Sequence, residues 1–452
     1  MELTPKRPKV TVRMPFGSIS FMKFAPVNFE ICDSSEEHFN PLECAVRLPD
    51  QIQTVGLLHA TKGTNRMNNS KAEDSNSASP EMNEFIRAFL EQFSKEKSEY
   101  DSTTIKCGIV GRSGVGKSSL INAIVDAKLA EVGSSKETTL EAHEYNHRGL
   151  TLVDLPGCGT KTFPTNTYVE RLDLKSFDLF IFVTESRFFE DEAIIYKQLT
   201  QDLKKPCFLA RNKFDTVLAN AEYDGTTTDE AELKREIELD IQKNLAPLKT
   251  QKVYLVSSRQ PARFDLPSLL EDIINAFSGM KRMRLENDFA AWSREALEQK
   301  KKNALRLVTW YAGLSAMNGL NPIPGLDIAV DVAMLGKMVR DIAGIYNITS
   351  EQMLFWKKLL GGPSGVALMN KIAVLVSKYG SEAAIKLILS TVGKSELSKV
   401  ASYAVPILGH AVNCGAGYYL TYSFGVGLID EFHLLAAEIL DRLQLPPPNE
   451  SS

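Results

Sequence analysis

The chain has 452 residues, a length that predicts two or three domains and enough apolar material for a buried core. Apolar residues make up 44% and charged residues 24%, proportions that exclude a wholly disordered or collagen-like chain. Lysines and arginines number 52 against 56 aspartates and glutamates, which gives a formal net charge of -4. This balance offers no overall basic charge to a nucleic acid, and we expect no nucleic-acid partner.

The six cysteines lie singly along the chain, without a CxxC pair. This spacing fits neither a zinc finger nor a disulfide scaffold and favours reduced thiols in the cytoplasm. The first ten residues lack the apolar core of a secretory signal, and no glycine follows Met1 to accept a myristoyl group. We therefore expect a cytoplasmic chain in which any membrane attachment comes from internal segments.

The N-terminal part of the chain divides into three segments by composition. Residues 1–60 mix short apolar runs with prolines and show no motif, so we expect only an N-terminal extension of unknown fold. Residues 61–79 are polar, as is typical of a flexible linker. Over residues 80–104, Pro80 favours a helix start, and large apolar side chains then recur at helical spacing. We expect this helical segment to pack with helices from the C-terminal part of the chain.

Short apolar runs alternate with helical patterns over residues 105–279. The runs read IKCGIV, GLTLVD, DLFIFV, CFLAR and VYLVS. Strands separated by helices predict an α/β domain with a mostly parallel sheet that is covered on both faces.

Residues 280–445 carry long, weakly polar helical patterns and few strand signals, which predict an all-helical domain followed by a tail at 446–452. Two stretches without a charged residue, Leu307–Leu326 and Val400–Ile429, reach the length of a membrane span. Glycines and prolines interrupt both stretches, which favours buried helices, with a transmembrane span as the alternative.

The most specific motif is GRSGVGKS, which runs from Gly111 to Ser118 between a predicted strand and a predicted helix. Its glycines let backbone amides surround a phosphate, and the positive end of the following helix faces the same charge. The Lys117 ammonium would neutralise the terminal phosphate, and the Ser118 hydroxyl would ligate magnesium. The predicted nucleotide-binding residues here are Gly111, Arg112, Ser113, Gly114, Val115, Gly116, Lys117, Ser118 and Ser119.

Two further segments are predicted to complete the phosphate and magnesium site. In DLPG, Asp154 would join the magnesium shell and the Gly157 amide would approach the terminal phosphate, with an ordinary turn as the alternative. Thr139, in KETTL, would contact magnesium and the terminal phosphate, with the adjacent Thr138 as the alternative for this role and a pair of ordinary surface threonines as the other interpretation. The predicted metal ligands are Ser118, Thr139 and Asp154, and the predicted catalytic residues are Lys117, Ser118, Thr139 and Gly157.

The tetrapeptide NKFD, from Asn212 to Asp215, indicates which base the site accepts. The Asp215 carboxylate can accept two hydrogen bonds from the ring NH and the exocyclic amine of guanine, whereas adenine leaves it unpaired. Asn212 and the stem of Lys213 would brace the base and its loop. Ser257 and Ser258, after the last apolar run, are predicted to contact the base as well.

Together these motifs resemble a translation-factor-type GTPase domain, and the fuller similarity is to the immunity-related GTPases, which are interferon-inducible and dynamin-like. The similarity covers about Phe85 to Leu443 and rests on TTLEAHEY and NPIPGLDIAVD as well as on the nucleotide motifs. The lysine of the phosphate loop matches the GKS-type members of that family. The resemblance implies a P-loop GTPase domain clasped by helices from both sides of it, GTP-dependent homo-oligomers and peripheral action on intracellular membranes.

We therefore expect a GTPase that uses magnesium and converts GTP into GDP and phosphate, in interferon-linked defence. Cys158 lies where small signalling GTPases carry the glutamine that orients the attacking water, and a thiol is a poor substitute. Slow turnover that a second copy assists is one hypothesis, and a nucleotide-gated scaffold with negligible hydrolysis is the alternative. Arg112 could act as an arginine finger, but many bacterial-type GTPases carry arginine at this loop position, and that ordinary occurrence is the favoured interpretation.

Overall fold

The computed structural model describes residues 80–131, 141–157, 163–185, 189–225, 229–245, 252–318, 326–349, 352, 355–356, 359, 362–379 and 409–444. Predicted features at 1–79, Thr139 and Cys158 lie outside these residues. All the described residues belong to one compact unit of the chain.

A six-stranded sheet forms the centre of the α/β part. Its strands are β1 (Ile105–Val110), β2 (His143–His147), β3 (Leu150–Asp154), β4 (Leu179–Thr184), β5 (Cys207–Arg211) and β6 (Val253–Leu255). Their order across the sheet is β2-β3-β1-β4-β5-β6, and every neighbouring pair is parallel except β2 with β3. The five strands predicted from apolar runs are all present, and the mostly parallel sheet is confirmed.

Strand β2 was not predicted, because its sequence HEYNH lacks an apolar run. The strand lies at the edge of the sheet and pairs antiparallel with β3, so that His143 is opposite Asp154. Only His147 at its end is buried, which explains why polar side chains are tolerated along the rest of it.

Helix α1 (Pro80–Ser102) precedes β1, and further helices cover both faces of the sheet. These helices are α2 (Lys117–Ile124), α3 (Tyr168–Arg171), α4 (Glu190–Lys197), α5 (Phe214–Asp224), α6 (Glu230–Leu245) and α7 (Leu266–Asn275). A 3-10 turn at Leu174–Ser176 precedes β4, and a π-helical turn at Gln198–Asp202 extends α4. Within β4, Ile181 faces a core shared with α2 and α7, and Phe182 faces a core shared with α4, α5 and α6. This alternation is the expected packing of a doubly covered sheet.

The remaining described helices are α8 (Gly279–Asp288), α9 (Arg294–Asn318), α10 (Leu326–Ile345), α11 (Gly362–Tyr379) and α12 (Gly409–Gln444). Helix α9 packs along α12, α10 and the N-terminal α1, so segments from both sides of the sheet domain build one helical layer. Glu96 of α1 fastens this layer, because its carboxylate accepts hydrogen bonds from Arg306 at 3.1 Å and from the Trp310 indole at 2.9 Å.

The two uncharged stretches fall partly within α9 and α12, and apolar side chains of both, such as Leu307, Trp310 and Ile429, are buried in the helical core. Phe424, Leu428 and Phe432 of α12 are buried there. Among the described helices, none combines the length and the apolar character that crossing a bilayer requires.

The tip of the β2–β3 hairpin joins the sheet to the helical layer. The Gly149 amide donates a hydrogen bond of 3.0 Å to the buried carboxylate of Asp288 in α8. That carboxylate also lies 3.3 Å from Arg284, and Arg148 donates to Asn347 at 2.8 Å. The open end of the hairpin therefore carries Asp154, opposite His143, and its turn contacts the helices.

Candidate nucleotide-binding site

Loops at the carboxyl ends of the parallel strands form the site, which is where α/β sheets commonly bind ligands. The loop after β1 has positive φ angles of 149° at Gly111, 87° at Gly114 and 90° at Gly116. A Cβ on Gly111 would lie 2.1 Å from the carbonyl oxygen of Val183, which is too close for any residue other than glycine. The glycines therefore produce a tight loop that leads directly into the N-terminus of α2.

Helix α2 begins at Lys117 with the left-handed Gly116 as its N-cap. Lys117 is buried, and its Nζ donates to the carbonyl oxygen of Arg112 at 3.2 Å and lies 3.7 Å from Oδ1 of Asp154. The ammonium is therefore held over the loop and oriented before any ligand arrives. The unpaired amides of a helix N-terminus favour an anion at the same place.

Ser118 and Asp154 form a hydroxyl–carboxylate pair beside the phosphate loop. Oγ of Ser118 donates to Oδ2 of Asp154 at 2.6 Å. Oδ1 of Asp154 is buried and accepts no hydrogen bond. The Lys117 ammonium, 3.7 Å from this oxygen, offsets part of the cost of burying it. A hydroxyl with a carboxylate is an oxygen donor set that suits Mg²⁺. The residues present therefore fit the predicted magnesium ion.

The Asp154–Gly157 segment lies directly against the phosphate loop. A Cβ on Gly157 would lie 3.2 Å from the backbone nitrogen of Ser113. Tyr168, buried in α3, anchors the segment because its hydroxyl donates to the carbonyl oxygen of Pro156 at 2.7 Å. The structure thus brings the DLPG segment and the phosphate loop into contact.

Asn212 connects three of the site's loops. Its side chain is buried, and Nδ2 donates to the carbonyl oxygens of Val115 at 3.1 Å and Gly116 at 3.4 Å. Its Oδ1 accepts from the backbone nitrogen of Ser258 at 3.3 Å and from the Ser258 hydroxyl at 3.2 Å. One amide therefore fixes the loop after β5 against the loops after β1 and β6.

Lys213 and Asp215 lie beside this junction. Lys213 has a left-handed φ of 61° and precedes α5, and its Nζ donates to the carbonyl oxygen of Gly114 at 2.7 Å. Asp215 is half-buried in the first turn of α5. The NKFD tetrapeptide and the phosphate loop, which lie far apart in the sequence, therefore meet at one edge of the sheet.

Ser257 and Ser258 have different environments. Ser257 is fully buried, and its Oγ accepts hydrogen bonds from the backbone nitrogens of Arg259 at 3.2 Å and Gln260 at 3.1 Å. Ser257 therefore shapes the turn after β6. Ser258 contacts Asn212 in the loop that carries NKFD (residues 212–215), which we call the base loop. Arg259 is exposed.

Arg112 contacts an aromatic ring of its own chain. Its guanidinium lies 4.1 Å from the centre of the Phe189 ring, just before α4, a distance typical of a cation–π contact. Glu192, in the first turn of α4, accepts a hydrogen bond from the Phe189 amide at 2.9 Å. Burial raises the pKa of the Glu192 carboxyl, and the positive charge of Arg112 opposes that rise.

Two residues of the site lie at the carboxyl ends of strands without belonging to a predicted motif. Glu185 comes directly after β4 and forms an ion pair with Lys213. Arg211, the last residue of β5, is buried beside it. Burial lowers the pKa of Arg211, and the carboxylate of Glu185 opposes that change. Only their position at the carboxyl ends of apolar runs could have suggested them from the sequence.

The comparison with protein families decides which family the chain represents. Residues 80–348 match the family model described as interferon-inducible GTPase. The chain belongs to the interferon-inducible GTPase family. This confirms the resemblance inferred from TTLEAHEY, NPIPGLDIAVD and the nucleotide motifs.

Several curated relatives of this family member carry the same kind of name. Interferon-inducible GTPase 1 of Mus musculus is 30% identical over 244 residues, which is 52% of this chain and 58% of the mouse protein. Interferon-inducible GTPase 5 of Rattus norvegicus is 25% identical over 341 residues, 73% of this chain and 74% of the rat protein. The chain therefore spans little more than half the length of the mouse relative.

Two solved structures each resemble part of this family member. The G domain of the T. maritima FeoB iron transporter is 26% identical, with a TM-score of 0.26, over 38% of this chain and 98% of that domain. Toc33 from Arabidopsis thaliana is 17% identical, with a TM-score of 0.27, over 38% of this chain and 79% of its own. TM-scores this low support no conclusion about the ligand.

Proposed function

We propose that this chain binds GTP with Mg²⁺ at the carboxyl edge of the sheet and hydrolyses it to GDP and phosphate. The observation that carries the proposal is the meeting of the phosphate loop, the Ser118–Asp154 pair and the NKFD loop around one edge. Family membership supports the same activity, since the curated relatives are named GTPases.

Each residue has a distinct role in this proposal. The amides of 111–119 surround the phosphates, and Lys117 neutralises their charge from its fixed position. Ser118 and Asp154 would hold Mg²⁺, which neutralises phosphate oxygens when bound. Asp215 accepts the two donors of guanine, while Asn212 and Ser258 hold the loops that carry the base. The Gly157 amide approaches the terminal phosphate, and Thr139 would join the magnesium shell.

A finer part of the proposal is that hydrolysis requires a second copy of the chain. Cys158 lies where a water-orienting amide is found in small GTPases, and a thiol cannot do that task well. We propose that GTP favours a homo-oligomer and that contact between copies supplies what Cys158 lacks. About 1–3 kcal/mol of coupling between nucleotide state and association changes the association constant roughly 5–150-fold.

We also propose that the chain acts in the cytoplasm at intracellular membranes, in interferon-linked defence, with peripheral attachment through apolar faces of the helices within 325–443. Family membership supports the link to interferon. The interruptions of the uncharged stretches by glycine and proline favour attachment at the surface over insertion.

Phosphate release tests the proposed GTPase activity and the role of the second copy when it is measured with GTP or ATP over a hundredfold range of protein concentration. We expect release from GTP alone, with a specific activity that rises with concentration, and light scattering that rises with GTP and not with GDP. GTP binding without phosphate release would instead support the scaffold alternative. A constant specific activity with monomers in every nucleotide state would refute the role of the second copy.

A further inference from the structure

The Lys213 side chain reaches from the base loop to the phosphate loop, which it contacts through both Cε and Nζ. Its Cε would lie 3.8 Å from a Cβ on Gly116, and its Nζ donates to the carbonyl oxygen of Gly114. Lys213 has a left-handed φ at the start of α5, where its carbonyl oxygen accepts hydrogen bonds from the backbone amides of Thr216 and Val217, while its side chain spans the two loops. A clamp of this kind keeps two loops from separating.

Glu185 supplies the second contact that holds the lysine. The Asn212 amide donates to the carbonyl oxygen of Thr184 at 2.8 Å, which places the end of β4 directly beside the base loop. From there the Glu185 carboxylate pairs with the Lys213 ammonium. The two side chains are 35% and 44% exposed, so the pair is accessible to solvent and to salt.

We propose that Glu185 is a positioning residue that holds Lys213 across the phosphate loop and thereby sets how long a guanine nucleotide stays bound. This inference rests on the proposed function, since it places the nucleotide between these loops. A lysine side chain is flexible, and an ammonium held by a carbonyl oxygen and a carboxylate at once loses its alternative positions. Without the carboxylate the clamp opens more often, and the nucleotide leaves faster.

The test is the release rate of fluorescently labelled GDP, chased with unlabelled GDP, from the full chain and its variants. We expect Glu185→Ala to release GDP about two- to fivefold faster, the range open to a partly exposed ion pair. Glu185→Asp should recover part of the loss, and higher salt should speed release from the wild type more than from Glu185→Ala. Glu190→Ala, which removes an exposed carboxylate from the nearby start of α4, is the matched control.

A double-variant cycle separates positioning from a general effect of charge. If Glu185 acts through Lys213, the double variant Glu185→Ala, Lys213→Ala releases GDP no faster than Lys213→Ala alone. Additive rates, or wild-type release from Glu185→Ala, would overturn the inference. A wild type that binds no labelled GDP would instead refute the proposed function, so the two failures are distinct. Unfolding midpoints should differ only slightly between the wild type and Glu185→Ala, because a partly exposed ion pair contributes little to stability.

Discussion

Replacing Asn212 by alanine tests whether one side chain holds the nucleotide-binding loops together. The variant loses four hydrogen bonds: two that Nδ2 donates to Val115 and Gly116, and two that Oδ1 accepts from Ser258. Asn212 is 1% exposed, so water cannot replace the lost partners without entering the core. The carbonyl oxygen of Val115 and the amide of Ser258 are then left without these contacts.

The size of the effect follows from the geometry of the four bonds. The bonds at 3.1 and 3.2 Å count fully, whereas those at 3.3 and 3.4 Å are weak. At about 0.5–1.5 kcal/mol for each good bond, with a further penalty for buried groups left unpaired, the free energy of unfolding should fall by about 2–4 kcal/mol. Nucleotide affinity should fall at least tenfold, because the loops after β1, β5 and β6 are no longer held in their relative positions.

Urea unfolding of the nucleotide-free protein and titration with labelled GDP measure the two effects. Ser258→Ala is the matched control, since it removes only the hydroxyl bond to Asn212 and should cost about 0.5–1.5 kcal/mol. If Asn212→Ala unfolds within about 0.5 kcal/mol of the wild type and binds GDP equally well, the loops do not depend on Asn212 and this reasoning is wrong.

Three further predictions concern the phosphate loop and the junction with the helices. Lys117→Ala should weaken GTP binding at least about tenfold in fluorescence titrations, because a charge-assisted contact is lost; equal affinity in a folded variant would mean that phosphate binds elsewhere. Gly149→Ala should lower the free energy of unfolding by about 1–3 kcal/mol, because its Cβ would lie 1.7 Å from Nε of Arg284. Gly427→Ala should not destabilise α12, because its Cβ would meet nothing within 4 Å apart from the nearby backbone of its own helix. Burial and nearby cations lower the pKa of His147 from 6.5 to about 3, so the unfolded chain takes up the proton first and stability should fall as pH drops from 6.5 towards 3. Urea unfolding at pH 7 and at pH 5 measures this loss of stability between the two pH values. The loss should be smaller for His147→Gln than for the wild type, whereas His143→Gln, which changes an exposed residue, should lose as much stability as the wild type.

The sequence was sufficient for the elements whose residues are uniformly buried. The apolar runs of β1 and β4 are buried almost throughout, so their hydrophobicity alone identified them. The edge strand β2 buries only its last residue, and its pairing with β3 is fixed by tertiary contact that composition does not encode. Propensity is a weak guide for such half-exposed strands.

At the site, the motifs within single loops could be predicted from the sequence, whereas the contacts between loops could not. Loop motifs such as GRSGVGKS and NKFD have fixed spacing and could be read directly, and the structure places them at one edge of the sheet. The contacts between loops, such as Asn212 to Ser258 and Glu185 to Lys213, join residues 46 and 28 positions apart and depend on the strand order. The role of Ser257 at the base stays a prediction, and the hydrogen bonds that its hydroxyl accepts in the turn after β6 could not be read from the sequence.

The most direct test of guanine recognition is whether a substitution of Asp215 changes the base that the site prefers. Nucleotide competition and phosphate release should be measured for the wild type and for Asp215→Asn, with GTP, ATP and xanthosine triphosphate. Asparagine offers a donor to the additional carbonyl of xanthine, so the variant should lose GTP and gain xanthosine triphosphate, while the wild type prefers GTP over ATP. A wild type that binds ATP as well as GTP, or a folded variant that keeps its preference for GTP, would contradict the assignment of the site.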